Sequence, residues 1–129
     1  LVDFYGNFCS EDETAQAISD IYKNSNYVID THTGVASAVY QQYKKNTGDE
    51  TKTVIASTAS PYKFSRSVME AISDEKLPED EFAVIDELCR VSGVEIPKAV
   101  EEIRNAQIRH KLECDVQDMK KTVAKILGI

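Results

Sequence analysis

At 129 residues the chain fits one compact domain, long enough to bury roughly two-thirds of the surface its unfolded form exposes. Its 42% hydrophobic and 29% charged residues exclude a disordered polyelectrolyte, and the net charge of -7 argues against a nucleic-acid partner, which needs clustered Lys and Arg. No apolar run approaches the roughly 20 residues that cross a bilayer, so no membrane partner is expected.

The start, Leu1-Val2-Asp3-Phe4-Tyr5, has neither the basic residues nor the long apolar core of a leader, and lacks an initiator Met, as expected of a piece of a longer chain. Gly6-Asn7-Phe8 reads as a turn; one glycine before an acidic segment does not make a phosphate cradle. Ser10 and Glu13 have capping-box spacing, and Ala15, Ile18, Ile21 and Tyr22 follow at helical spacing, predicting a helix over about 11–24.

After the break at Asn24-Ser25-Asn26, Tyr27-Val28-Ile29 reads as a short buried strand ending at Asp30. Thr31 or Thr33 is expected to cap the next helix, which carries Val35, Ala36, Val39 and Tyr43. Lys44, Lys45 and then Gly48 suit that helix's C-terminus. Thr53-Val54-Ile55-Ala56-Ser57 reads as a second buried strand, and Ser60-Pro61 as the cap and first residue of a helix with Phe64, Val68, Met69 and Ile72 on one side.

A fourth helix over about 79–92 buries Phe82, Ile85, Leu88 and Cys89 and stops at Gly93, and Pro97 opens a short fifth through Arg104. Ile108 to Cys114 alternates imperfectly, as an edge strand would. Asp115 and Asp118 start a last helix with Val116, Met119, Val123 and Ile126. The alternation predicts an α/β layered fold, a small and mostly parallel sheet of about three to four strands flanked by helices, forming a single domain over 1–129. So thin a sheet would normally dock on more protein.

Cys9, Cys89 and Cys114 are odd in number and far apart, which fits mostly buried, reduced thiols in a cytoplasmic protein and no zinc or dithiol centre. Ligands of open α/β sheets gather at the C-terminal ends of strands, and both candidate strands end in small and hydroxyl residues. One end is Asp30 to Ala36; the other is Ala56-Ser57-Thr58-Ala59-Ser60, where a flat ligand can approach the backbone and a helix start follows. The same residues also suit a plain strand end and helix cap. His32 suits a local hydrogen-bonding role and His110 an exposed one; neither has a carboxylate or cysteine at ligand spacing, so no metal site is expected.

Two segments carry a resemblance to threonine synthases of the longer bacterial and fungal type. Asp30-Thr31-His32-Thr33-Gly34-Val35-Ala36 is similar to that family's Asp-Pro-His-Thr-Ala-Val-Ala, departing at Thr31 and Gly34. Ser57-Thr58-Ala59-Ser60-Pro61-Tyr62-Lys63-Phe64 resembles its Ser-Thr-Ala-His-Pro-Ala-Lys-Phe, departing at Ser60 and Tyr62. The resemblance implies a C-terminal part of an enzyme of fold type II that uses pyridoxal 5′-phosphate to convert O-phospho-L-homoserine and water into L-threonine and phosphate.

It implies too that Thr58 bonds the cofactor's pyridine nitrogen, that Ser57 helps position the cofactor, and that Lys63 and His32 line the site. The lysine that holds the cofactor and the glycine-rich loop for its phosphate match nothing here. No catalytic residue is therefore expected in this chain, and its partners would be the substrate and the remainder of the parent chain. Two other readings stay open: a non-enzymatic α/β module that binds an anion or a protein, and another lyase of the same cofactor class.

Overall fold

Ser10 and Glu13 start the first helix by satisfying each other: the Glu13 N–H donates to Ser10 Oγ, and the Ser10 N–H to Glu13 Oε2 at 2.7 Å. The computed structural model describes residues 3–129, so the reading of Leu1–Tyr5 as lacking the features of a leader lies partly outside the described residues. Helix α1 runs Glu11–Ser25 and closes on Asn26 in the left-handed conformation. Helix α2, Thr31–Thr47, is capped by Asp30, not by either threonine, and ends at Gly48 with φ 70. A 3₁₀ turn, Pro61–Phe64, leads into α3, Ser65–Ile72; then come α4, Glu81–Ser92, and α5, Lys98–Arg104. A second 3₁₀ turn, Val116–Asp118, precedes α6, Met119–Leu127.

The expected α/β sheet is not formed. Among the described residues there is no strand, and the fold is helical, with α1 packed on α2 and α3, and α3 on α4. Val28 and Ile29 are buried as expected, yet they sit in a connector whose side chains fill a gap between helices. Burial of an apolar run fixes where side chains go and does not oblige the backbone to pair. Residues 53–57 carry no assigned strand or turn, and Val54 is 94% exposed instead of buried. Residues 108–114 lie exposed, with no partner strand among the described residues.

The core joins Ile18 of α1, Val28 and Ile29, Tyr62, Val68 and Met69 of α3, and Val84, Ile85 and Leu88 of α4. Gly34 lets α1 and α2 meet closely: a Cβ there would stand 2.9 Å from Ile18 Cγ1. Tyr62 is buried with its hydroxyl donating to the Val94 carbonyl, which ties the 3₁₀ turn to the end of α4. Burial pushes that phenol up to about 12. Arg104 joins α5 to α4, its guanidinium over the Phe82 ring and 2.6 Å from Asp86 Oδ1. The three cysteines are free, and Cys114 is exposed where a buried thiol was expected.

Candidate functional site

The corner where α2 begins is organised by one carboxylate. Asp30 is only 2% exposed, although it sits at the rim of the core. Its Oδ1 accepts from the backbone N–H groups of His32 at 2.9 Å and Thr33 at 3.2 Å, as a helix N-cap does. Its Oδ2 accepts from the Thr33 hydroxyl and lies 3.3 Å from Ser57 Oγ.

Thr33 Oγ1 and Ser57 Oγ are 2.9 Å apart. Each hydroxyl has one proton. The Thr33 hydroxyl reaches both Asp30 Oδ2 and Ser57 Oγ, and the Ser57 hydroxyl donates to Asp30 Oδ2 at 3.3 Å, so both protons stay inside the three-residue network. The result is a relay from a buried carboxylate to the loop that carries Ser57 and Thr58. Burial raises the Asp30 pKa, but the bonds from Thr33, His32 and Ser57 more than offset this and hold it below its ordinary value.

The relay makes the first turn of α2 a poor anion site, because Asp30 already fills the positive end of the helix. The second junction offers less than expected as well. The turn after Ser60 is a single 3₁₀ turn whose Tyr62 N–H is taken by Ser60 Oγ at 3.3 Å. What this junction does present is Thr58, exposed beside the tethered Ser57.

His32 and Lys63 each lie near the Phe64 ring. The His32 ring centroid is 5.7 Å from that of Phe64, and Lys63 Nζ is 5.7 Å from the same ring on its own account. His32 Nδ1 is 3.3 Å from Asp30 Oδ1, while its side chain remains half exposed. Beside this corner a cleft of about 390 Å³ is lined by Cys9, Thr14, Thr31, His32, Phe64 and Ser67, among others. A larger groove of about 710 Å³ lies on another face, between α1 and α2, lined by amide, charged and small apolar side chains such as Gln16, Asp20 and Gln41. A third cleft, of about 440 Å³, is lined by Thr53, Val54, Ile55 and Ala56 of the loop before Ser57 together with Val39 and Tyr43 of α2.

The structure thus brings Ser57, His32 and Asp30 into one network and leaves Lys63 outside it, near the ring of its chain neighbour Phe64. It leaves Thr58 at the exposed edge, and His110 on a distant exposed segment. Among the described residues no group of three or more His, Cys, Asp or Glu side chains is placed to hold a metal ion. No described helix is long and apolar enough to cross a membrane. Sequence reasoning missed Asp30, which it treated as the end of a strand. The signal was present: an Asp three residues before a Thr at a helix start is an N-cap spacing in which both Asp oxygens find donors.

Comparison with known proteins gives the chain its relatives. The chain is 35% identical over 77 residues to human (Homo sapiens) "Threonine synthase-like 1", which is 60% of this chain and 10% of that protein. It is 40% identical over 72 residues to "Threonine synthase" of Schizosaccharomyces pombe, 55% of this chain and 14% of that protein. The mouse (Mus musculus) "Threonine synthase-like 1" is 36% identical over 75 residues, 58% of this chain and 10% of that protein. The chain thus spans about a tenth to a seventh of the length of these relatives. The family described as "Threonine synthase, C-terminal" matches residues 33–123, which take in Thr33, Ser57, Thr58, Lys63 and Phe64. The chain belongs to the threonine synthase C-terminal family.

Proposed function

We propose that this chain supplies the pyridine-binding corner of a threonine synthase, a lyase that turns O-phospho-L-homoserine and water into L-threonine and phosphate with pyridoxal 5′-phosphate. The observation that carries this reading is the pairing of Thr58, exposed with a neutral hydroxyl, with Ser57, anchored from beneath by a buried carboxylate.

The donor set fits the group. When bound, pyridoxal phosphate supplies an electron sink for cleaving bonds at the carbons next to a substrate amine. A carboxylate facing the ring nitrogen would keep it protonated and make the sink as strong as possible. The Thr58 hydroxyl would instead hold the ring nitrogen by a neutral hydrogen bond, and the sink would be more moderate. The one carboxylate of this corner, Asp30, is buried and committed to Thr33, His32 and Ser57, so it does not compete for that place. Ser57 would orient the loop, and His32 and Lys63 are the side chains we read as lining the site.

The lysine that binds the cofactor, and the loop that holds its phosphate, belong to the remainder of the parent chain. The apolar side chains left exposed on α6 fit a surface that the same remainder covers. Three free cysteines support a reducing compartment, and we read the enzyme as cytoplasmic on that basis.

The test is phosphate release from O-phospho-L-homoserine by the full-length parent, with and without added pyridoxal phosphate. We expect release that requires the cofactor, and none from the 129-residue chain alone. Release that ignores the cofactor, or that this chain performs unaided, would contradict the reading. A second reading, a different lyase of the same cofactor class, is favoured by relatives whose printed names carry "-like". It predicts cofactor binding with no turnover of this substrate.

A further inference from the structure

We propose that Asp30 is a positioning residue for Thr58, acting through Thr33 and Ser57 rather than by touching a ligand. The inference rests on the reading of Thr58 as the cofactor's partner, but its physical part stands on the geometry alone.

Asp30 does more than an N-cap needs. A cap uses one oxygen to satisfy the first amides of a helix, and Oδ1 does this alone for His32 and Thr33. Oδ2 is surplus to the cap, yet it is buried and engaged by the Thr33 hydroxyl, with Ser57 Oγ 3.3 Å away. The Ser57 hydroxyl, 2.9 Å from Thr33 Oγ1 and donating to Asp30 Oδ2, closes a link between segments 24 and 27 residues apart in sequence.

Besides half-buried Ile55, which lines a cleft with Ala36, Val39 and Tyr40 of α2, this stretch is exposed. Residues 53–57 have no strand partner, and Val54 and Thr53 on the approach are exposed. The link therefore falls at the position before Thr58, in the loop where a fixed hydroxyl is of most use. A site held to within about half an ångström needs such support from behind, because the residue that meets the ligand cannot also brace itself against it.

The polarity of the relay matters too. The buried carboxylate accepts and cannot donate, so both relay protons point inward. Ser57 is thereby barred from offering its proton outward, and Thr58 is left as the outward donor of the pair.

The experiment uses the full-length parent, labelled at threonine methyl groups, and reads the order parameter of the Thr58 methyl with cofactor absent. Two variants separate bracing from capping. Asp30→Ser keeps a good N-cap but is too short to engage the Thr33 and Ser57 hydroxyls. Ser57→Ala removes the loop end of the relay and leaves the cap untouched.

We expect the Thr58 order parameter to fall to about half or less of its wild-type value in both variants, from a rigid towards a flexible range. Threonine methyls in α2 away from the relay should be unchanged. An unmoved Thr58 in either variant would overturn the proposal and leave Asp30 a cap only. Should Asp30→Ser fail to fold, Ser57→Ala still decides against the proposal if Thr58 stays rigid.

A second arm adds pyridoxal phosphate and records its absorption spectrum. The spectrum should move in the same direction in Asp30→Ser and Ser57→Ala as in Thr58→Val. If the parent binds no pyridoxal phosphate, the functional reading fails, while the order-parameter result still decides whether Asp30 braces the loop.

Discussion

The helices of residues 11–92 and the last helix, α6, have the same kind of amphipathic sequence and opposite fates. In α1, α3 and α4 the apolar side chains at helical spacing meet one another, so Ile18, Val68, Met69, Val84 and Leu88 are almost wholly buried. In α6 the equivalent stripe of Met119, Val123 and Ile126 faces solvent, and Ile126 is 65% exposed. The difference teaches that periodicity specifies a helix and the side of it that is apolar, but not what covers that side. Coverage depends on neighbours, and α1, α3 and α4 have each other.

The largest test of this contrast is truncation on either side of it. Leu88→Ala, in a fully buried position, should destabilise the chain by about 2–5 kcal/mol in denaturant melts. Ile126→Ala should cost less than about 0.5 kcal/mol in the same measurement. In the full-length parent the second value should rise if the rest of the protein covers α6. An equally large loss at Ile126 in the 129-residue chain would break the contrast.

A smaller effect concerns how tightly the body is packed. Gly34→Ala gains about 1 kcal/mol of helix propensity but drives a methyl into Ile18, and such overpacking costs about 1–3 kcal/mol. We expect a net loss of about 1 kcal/mol by thermal melting, and a smaller loss when the same change is made in an Ile18→Ala background, which removes the Cγ1 atom. This accounts for the glycine where the family pattern has alanine: here α1 lies close enough to need it.

The smallest effect is one of pH. The carboxyl of Asp30 is held below its ordinary 3.8 in the folded chain, so its ionised form favours the fold. That contribution is complete above about pH 5, more than a unit over the unfolded value, and is lost as pH falls through the folded pKa. The charged group beside it is His32, with Nδ1 at 3.3 Å, which adds an attractive partner once protonated. Stability measured from pH 5 down to pH 2 should therefore fall less steeply in Asp30→Asn than in the wild type. Parallel curves would show that the relay contributes nothing through its charge.

Much of the helical skeleton was legible from the sequence because its signals are local. The Ser10–Glu13 capping box, the stops at Gly48 and Gly93, and Ser60 before Pro61 all act within a few residues. The sheet was not legible, because a strand is defined by a partner, and three-to-five-residue apolar runs such as Tyr27–Ile29 look the same whether they pair or plug a gap. The site was half legible. Ser57, Thr58, His32 and Lys63 were named through resemblance, and of these Ser57 and His32 contact Asp30, whereas Asp30 needed coordinates, since its second oxygen reaches a residue 27 positions away. Nothing local in Asp30-Thr31-His32-Thr33 announces that contact.

The most direct test of the account is a pair of substitutions at Thr58 in the full-length parent loaded with pyridoxal phosphate. Thr58→Ser keeps the hydroxyl, and Thr58→Val keeps the shape without it. The account predicts that the serine variant retains most of the turnover of O-phospho-L-homoserine, while the valine variant loses at least about tenfold with a shifted cofactor absorption and an unchanged melting temperature. Equal turnover and an unshifted spectrum in the valine variant would contradict it.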